Sequence, residues 1–197
     1  MAAEHIGQTT LSARAPCGRT VHEMGDGDIS LRPFREPDLE LLTRFATDPA
    51  FSAPFEWPGF QAPDEFRRRW EEDGFLGKDP HQLVVSDAHG TGVGWVMWRE
   101  PGPGWGGPGV WIVGILLAPE HRGRGIGTAA QCLLVEHLFA TTPAHRLCAF
   151  TEATNEAEQH SLEKCGFQRE GLLRQAGYRG GRWRDVVVYA RLRSDVA

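Results

Sequence analysis

Three glycines at alternate positions, Gly123, Gly125 and Gly127, mark the segment of this chain best suited to chemistry. The apolar stretch before them, residues 110–117, predicts a buried strand, and Pro119 ends it because proline cannot donate a hydrogen bond to a sheet. Apolar residues then recur at helical spacing, at Ile126, Ala129, Ala130, Leu133, Leu134 and Leu138. Backbone N–H groups at such a strand–turn–helix junction lack helical partners, so they form a site for a phosphate or pyrophosphate.

The spacing of the glycines narrows the kind of phosphate site. It lacks the lysine and the long glycine gap of a P-loop, and Thr128 stands where a dinucleotide fold has its third glycine. It does match Arg-x-x-Gly-x-Gly, filled by residues 122–127, and so resembles the pyrophosphate loop of the GNAT acetyltransferases, which bind coenzyme A. The alternative is a glycine-rich turn with solvent-facing arginines, which the flanking strand and helix make less favourable.

Length and composition describe a soluble globular protein. With 197 residues, 41% hydrophobic and 24% charged, the chain suits one domain with a full core, which we place at residues 28–197 after a flexible arm at residues 1–27. A net charge of -5 argues against a general nucleic-acid binder. No apolar run is long enough to cross a membrane and no secretion signal is evident, so a cytoplasmic location is expected.

The cysteines do not have the spacing of metal ligands. They are Cys17, Cys132, Cys148 and Cys165, and the last three fall within or at the end of expected elements. We therefore expect reduced, mostly buried thiols, and no metal site.

The pattern of apolar residues predicts a mixed α/β domain. Strands are expected at residues 29–34, 82–85, 92–98, 110–117 and 146–151, and helices at 38–47, from Pro63, after the glycines and at 155–165. A closing hairpin is expected from residues 167–175 and 183–192. The aromatic stretch 51–60 either fills a gap over the core or lines a pocket, and the proline- and glycine-rich loop 101–108 is expected to border the acceptor side of the cleft.

The resemblance extends from residue 29 to residue 193. The chain is similar to the RimJ/RimL branch of the GNAT superfamily, the ribosomal-protein N-terminal acetyltransferases. The matching features are Leu31-Arg32-Pro33-Phe34, the Pro-Trp loop after the first helix, Asn155 followed by Lys164-Cys165-Gly166-Phe167, Glu170-Gly171, and the closing strand 185–191.

This resemblance implies the acyl-CoA N-acyltransferase fold, with a central parallel strand pair that splays apart, a C-terminal hairpin, and acetyl-CoA or another acyl-CoA as co-substrate. Backbone of Ile115 and Leu117 is expected to pair with the pantetheine, and a backbone N–H near Leu117 to stabilise the oxyanion. The expected binding residues for the rest of the cofactor are Arg122, Gly123, Arg124, Gly125, Ile126, Gly127, Thr128 and Asn155. The expected substrate pocket is formed by Phe55, Trp57, Trp98 and Trp111.

The residues for proton transfer depart from the family pattern. Glu158 stands where RimL-type enzymes have a serine thought to protonate the leaving thiolate, and Gly177 stands where they have a proposed glutamate base. The remaining candidates are Glu152, Glu158 and Tyr178. For Glu158 the favoured alternative is a structural one, a capping box with Asn155 at the start of its helix. Tyr178 is either a proton donor or an ordinary hairpin residue.

The sequence thus predicts an N-acyltransferase in which a primary amine attacks the thioester directly. The alternatives are an acyltransferase that uses a carrier-protein or aminoacyl-tRNA donor, and a non-catalytic acyl-CoA-binding module. The expected partners are a small-molecule or peptide amine, with an acyl carrier protein and a second copy of the chain as further candidates. Neither a membrane nor general nucleic acid is expected as a partner.

Overall fold

A computed structural model of the protein describes residues 29–56, 59–102 and 106–195, so the expected arm at residues 1–27 and Trp57 lie outside the described residues. The strands are β1 (Ser30–Arg32), β2 (His81–Ser86), β3 (Gly92–Arg99), β4 (Val110–Leu117), β5 (Arg146–Glu152), β6 (Gln168–Arg179) and β7 (Arg182–Leu192). The α-helices are α1 (Leu39–Thr47), α2 (Pro49–Ser52), α3 (Pro63–Asp73), α4 (Ile126–Thr141) and α5 (Glu156–Lys164). None of the described helices is long and apolar enough to span a bilayer.

The strands form one mixed sheet in the order β1-β2-β3-β4-β5-β7-β6. Among the described strands, β4 and β5 are the parallel pair, and they are in register only from Val110↔Arg146 to Ile112↔Cys148. Beyond Ile112 the two strands separate, while β4 stays paired with β3 as far as Leu117↔Gly94. The expected splayed pair and C-terminal hairpin are both confirmed, and the split leaves one edge of β4 open from Val113 onward.

Helices cover both faces of the sheet because its strands alternate their apolar side chains. One hydrophobic cluster joins α4 and α5 to Leu83, Val85 and Leu147. A second cluster lies on the opposite face, where Val84 and Trp95 pack against α1, Phe51 and Phe75. Both faces of β2 are thus buried, as expected for an inner strand.

Gly94 lets β3 approach β4 beside the split. A Cβ at this position would lie 2.3 Å from the carbonyl oxygen of Leu116 and 2.8 Å from Cα of Leu117. Both are backbone atoms of β4, so no side-chain rotation could relieve the overlap. The absence of a side chain at Gly94 therefore sets the position of the last residues of β4.

The expectation of reduced cysteines is wrong for Cys132 and Cys165, which form a disulfide. Cys132 lies on α4, and Cys165 directly follows α5, so the bond ties the two helices together on one face of the sheet. The sequence could not reveal the pair, because the two residues are 33 positions apart and become neighbours only when α4 and α5 pack. Cys148 is a buried free thiol, as expected, and Cys17 lies outside the described residues.

Reduction of this disulfide should destabilise the fold. Closing a loop of 33 residues restricts the unfolded chain by about 3–4 kcal/mol at room temperature. Chemical unfolding in the presence and absence of reductant measures the difference. The double variant Cys132→Ala/Cys165→Ala is the control, because reductant should leave its unfolding curve unchanged. Identical curves for the wild-type protein under both conditions would contradict the pairing.

Candidate active site

The open edge of β4 borders a cavity of about 310 Å³, which we name the central cleft. Its wall contains Ile115, Leu116 and Leu117 from β4, the glycines of the turn before α4, and Asn155, Glu158 and Ser161 from the α5 region. Residues 52–56 close another side. The cleft therefore lies where the two parallel strands separate, and it is continuous with the start of α4.

The start of α4 lies in the wall of this cleft, and its first N–H groups have no partner within the helix. The first intrahelical backbone bond joins the Ala129 N–H to the Gly125 carbonyl, at 3.0 Å, so the N–H groups of residues 126–128 have no partner within the helix. Gly125 is the N-cap, and no side chain from the described part of the chain caps the helix there. Gly123 (φ 73°) and Gly125 (φ 80°) have left-handed backbone conformations, which glycine adopts without strain. The positive end of the helix dipole is thus open to an anion.

The Arg122 side chain lies at the wall of the central cleft and is held by three backbone carbonyls. Its Nε donates to the Leu117 carbonyl at 3.0 Å, one terminal nitrogen donates to the Ala53 carbonyl at 2.5 Å, and the other donates to the Phe51 carbonyl. Arg122 therefore fastens the segment 51–53 to the end of β4. Arg124 is exposed and is not part of the cleft wall. Of the two arginines of this loop, Arg122 therefore lines the cleft and Arg124 does not.

Glu158 is held by a polar network beneath the cleft. Gln131 of α4 donates from Nε2 to Oε1 of Glu158 at 2.5 Å and accepts from the Ser161 hydroxyl at 3.0 Å. The expected capping box is wrong in its second half. Asn155 does accept the Glu158 N–H, but the Asn155 N–H donates to the Glu152 carbonyl at 2.9 Å, so the Glu158 carboxylate is free to face α4.

Burial raises the pKa of Glu158 to about 7, and repulsion from Glu56 adds to this effect. The hydrogen bond from Gln131 acts in the opposite direction, because it favours the charged carboxylate. A carboxyl group with this pKa exchanges protons readily near neutral pH, which suits a general acid or base.

The same shift makes stability depend on pH. A carboxyl whose pKa is higher in the folded protein binds its proton more tightly there, so its stabilising effect is complete below about pH 4.5 and is lost as pH rises through about 7. We expect the wild-type protein to lose on the order of 2–3 kcal/mol between these limits through this group. Glu158→Gln should remove most of that loss, measured by thermal unfolding at pH 5 and pH 8. Equal pH dependence in both proteins would contradict the shift.

A second cavity of about 310 Å³, the side pocket, adjoins the central cleft. The two cavities share Phe55, Glu56 and Asn155. Tyr178, Glu152 and Arg179 also line the side pocket. Gly177 lies in its wall, so the position of the family's proposed glutamate faces a pocket here too.

The other two candidates for proton transfer, Glu152 and Tyr178, lie in surroundings that differ from those of Glu158, because one is ion-paired and the other is largely exposed. Glu152 receives hydrogen bonds from Arg179, at 2.5 and 2.8 Å, and this ion pair lowers its pKa, so it is a weak base at neutral pH. Tyr178 is 64% exposed and packs edge-on against Trp183, with ring centroids 5.1 Å apart.

Two residues expected in the substrate pocket, Trp98 and Trp111, lie away from the two cavities described above. Trp98 is buried in the main core and stacks on His81, with ring centroids 5.2 Å apart. Trp111 packs at the edge of the same core, at the end of β4 that is still paired with β5. Neither tryptophan contributes to the walls of the two cavities. The sequence could not reveal this, because the pattern of apolar residues does not show at which end β4 and β5 separate.

The aromatic stretch 51–60 both fills the core and lines the cavities. Phe51 is fully buried and stacks on Trp95, whereas Phe55 lies at the junction of the two cavities. Sequence analysis missed two polar residues of the site, Glu56 and Gln131. Gln131 could have been predicted from the sequence, because it is a polar residue within the otherwise apolar stretch of α4.

Comparison with known proteins agrees with this geometry. Residues 28–168 match the family model described as an acetyltransferase (GNAT) domain. A phosphinothricin N-acetyltransferase of Streptomyces coelicolor is 29% identical over 85% of this chain and 98% of its own. A probable N-acetyltransferase of Bacillus subtilis is 36% identical, but the match spans only 43% of this chain and 46% of the relative.

Among solved structures, spermidine N-acetyltransferase from Vibrio cholerae, in complex with CoA and spermine, has a similar fold. Its TM-score is 0.73 at 24% identity, and the match covers 85% of this chain and 97% of that one. The family model covers well over half of the chain. The chain therefore belongs to the GNAT acetyltransferase family and is an N-acetyltransferase that transfers an acyl group from a CoA thioester to an amine.

Proposed function

We propose that the acyl transfer takes place in the central cleft, to a small primary amine that enters through the side pocket. The observation that carries this proposal is the separation of β4 from β5 after Ile112, which opens a cavity directly continuous with the uncapped start of α4. In this arrangement the thioester lies beside β4 with its diphosphate at the helix N-terminus.

The backbone supplies the contacts to the donor. On the open edge of β4, Ile115 offers its N–H and C=O groups to the pantetheine amides, much as it would to a neighbouring strand. Leu117 offers its N–H group, since its carbonyl already accepts a hydrogen bond from Arg122. The N–H groups of residues 123–128 surround the diphosphate, since the Arg122 N–H already donates to the Pro119 carbonyl at 3.3 Å. A backbone N–H near Leu117 stabilises the oxyanion of the transition state, and a donor placed in this way contributes about 3 kcal/mol.

Glu158 is the proposed proton donor to the departing thiolate. Support comes from its place in the wall of the central cleft and from its raised pKa of about 7. Gln131 holds the carboxyl by a hydrogen bond, and Ser161 in turn donates to Gln131. Glu152 serves instead to hold Arg179 in the side pocket, and Tyr178 takes part in acceptor binding.

A small amine is the proposed acceptor. The side pocket holds the carboxylates of Glu56 and Glu152 against the single cation Arg179 among its described wall residues, a balance that favours an ammonium group. The relatives named for phosphinothricin and spermidine acetylation support the same class of acceptor.

We also propose that the protein belongs to the RimJ/RimL branch of the family and that it is located in the cytoplasm. The branch assignment is supported by the motifs at residues 31–34 and 155–167, and a second copy of the chain remains a proposed partner.

The experiment measures thiol release from acetyl-CoA with spermidine, L-phosphinothricin and a short peptide with a free N-terminus. Rapid release with a small amine supports the proposal. Release only with the peptide would contradict the small-amine acceptor. A parallel assay replaces acetyl-CoA by an acetylated acyl carrier protein, which presents the same thioester without the adenosine 3′-phosphate. Release only from the carrier protein would contradict CoA as the donor.

A further inference from the structure

Glu56 occupies the junction between the two cavities, and the known motifs assign it no role. It lines both the central cleft and the side pocket. Its backbone N–H donates to the Ser52 carbonyl at 3.0 Å, and Arg122 holds the carbonyls of Phe51 and Ala53 just before it. The carboxyl thus projects from a segment that is fastened to the end of β4, although the segment itself is a loop.

The charges around Glu56 come from three elements. Glu158 faces it from α5, Glu152 from β5 and Arg179 from β6. Arg179 is already paired with Glu152, through hydrogen bonds at 2.5 and 2.8 Å, so its charge is largely committed to that carboxylate. Among the described residues, the Glu56 carboxyl therefore has no hydrogen-bond partner, whereas Glu152 is paired with Arg179 and Glu158 is held by Gln131.

We propose that Glu56 binds the ammonium group of the acceptor and accepts its proton, and that it works as a pair with Glu158 across the junction of the two cavities. This inference rests on the proposed function, since it assigns proton removal from the amine to Glu56 and proton donation to the sulfur to Glu158. Glu56 faces both the amine and the thioester, and Glu158 lies on the thioester side alone.

The proton balance of the reaction requires such a pair. An ammonium group carries three protons on nitrogen and the amide product carries one, so two protons must leave. Glu56 takes the first, and the free amine forms the bond to the carbonyl carbon while the carbon–sulfur bond breaks. Glu158 gives its proton to the sulfur, which departs as a thiol. Glu56 releases the first proton to solvent and then takes the second proton from the nitrogen. It passes this second proton to Glu158, so that both carboxyl groups return to their starting states.

The two carboxyls are also electrostatically coupled. Burial and the charge of Glu152 raise the pKa of Glu56, while Arg179 lowers it. Glu56 in turn raises the pKa of Glu158. A negative Glu56 therefore favours the protonated form of Glu158, which is the combination that the reaction needs at its start.

The test compares Glu56→Gln and Glu56→Asp with Glu65→Gln, an exposed position on α3 that serves as the control. With acetyl-CoA and spermidine or L-phosphinothricin, Glu56→Gln should lower kcat/KM by about 100-fold or more. It should also remove the rising limb of the pH–rate profile. Glu56→Asp should recover part of the rate, and CoA affinity should be unchanged in all three variants. A wild-type rate and pH profile in Glu56→Gln would overturn the proposal.

A second measurement does not depend on the acceptor. Carboxyl ¹³C NMR should show Glu158 titrating at lower pH in Glu56→Gln than in the wild-type protein and in Glu65→Gln, because a neighbouring negative charge is removed. An unshifted titration would refute the pair. If the wild-type enzyme acetylates neither probe, the proposed acceptor class fails, while this titration still decides whether the pair exists.

Discussion

Gly127→Asp should weaken CoA binding by about 100-fold or more, a loss equivalent to about 2.7 kcal/mol. Gly127 lies in the first turn of α4 and in the wall of the central cleft. A carboxylate there would repel the diphosphate from the N–H groups that attract it. The fold should not suffer, because an acidic residue in the first turn of a helix is stabilising by about 0.3–1 kcal/mol. A Cβ at this position would make only an ordinary contact, 3.5 Å from Cδ1 of Leu117.

Isothermal titration with CoA and thermal unfolding measure the two effects separately. Gly127→Asn is the matched control, since it has the same size without the charge, and it should keep more of the affinity. The difference between the two variants should shrink at high salt, where exposed charges are screened. Equal affinities for the Asp and Asn variants would show that the diphosphate lies elsewhere.

Glu158→Gln should lower kcat by about 100- to 10,000-fold, the contribution that is typical of a general acid. The wild-type kcat should decline as pH rises above about 7, where Glu158 loses its proton, and the variant should lack this decline. CoA affinity should stay the same, because the amide still fits beside Gln131. Steady-state kinetics over pH 6–9 provide the measurement.

Glu156→Gln is the control for the catalytic role of Glu158. Glu156 lies in the first turn of the same helix but is exposed, so its loss should leave kcat unchanged. A full wild-type rate in Glu158→Gln would assign this residue a structural role only, and Tyr178 would become the next candidate for the proton donor.

The central part of the site could be predicted from the sequence because its signals are local. The apolar strand, the spaced glycines and the apolar helix lie within about thirty consecutive residues, and each follows from backbone preferences. The structure places β4 at Val110–Leu117 and starts α4 at Ile126, in agreement with those signals.

The differences between expectation and structure concern contacts, some between distant segments and one across a single turn. Trp98 and Trp111 have the composition of a pocket wall, but the separation of β4 from β5 begins only after Ile112, and no local pattern reports that position. The Glu158 capping box failed because Glu152 already accepts the Asn155 N–H, a contact across the turn between β5 and α5. Glu56 stands in an aromatic loop, and its importance becomes visible only when two cavities meet beside it.

The most direct test of the account is a crystal structure of the protein with CoA. The account predicts the diphosphate at hydrogen-bond distance, about 3 Å, from backbone N–H groups between Gly123 and Thr128. It also predicts the sulfur on the Glu158 side of the central cleft. A diphosphate bound away from the start of α4 would contradict the account.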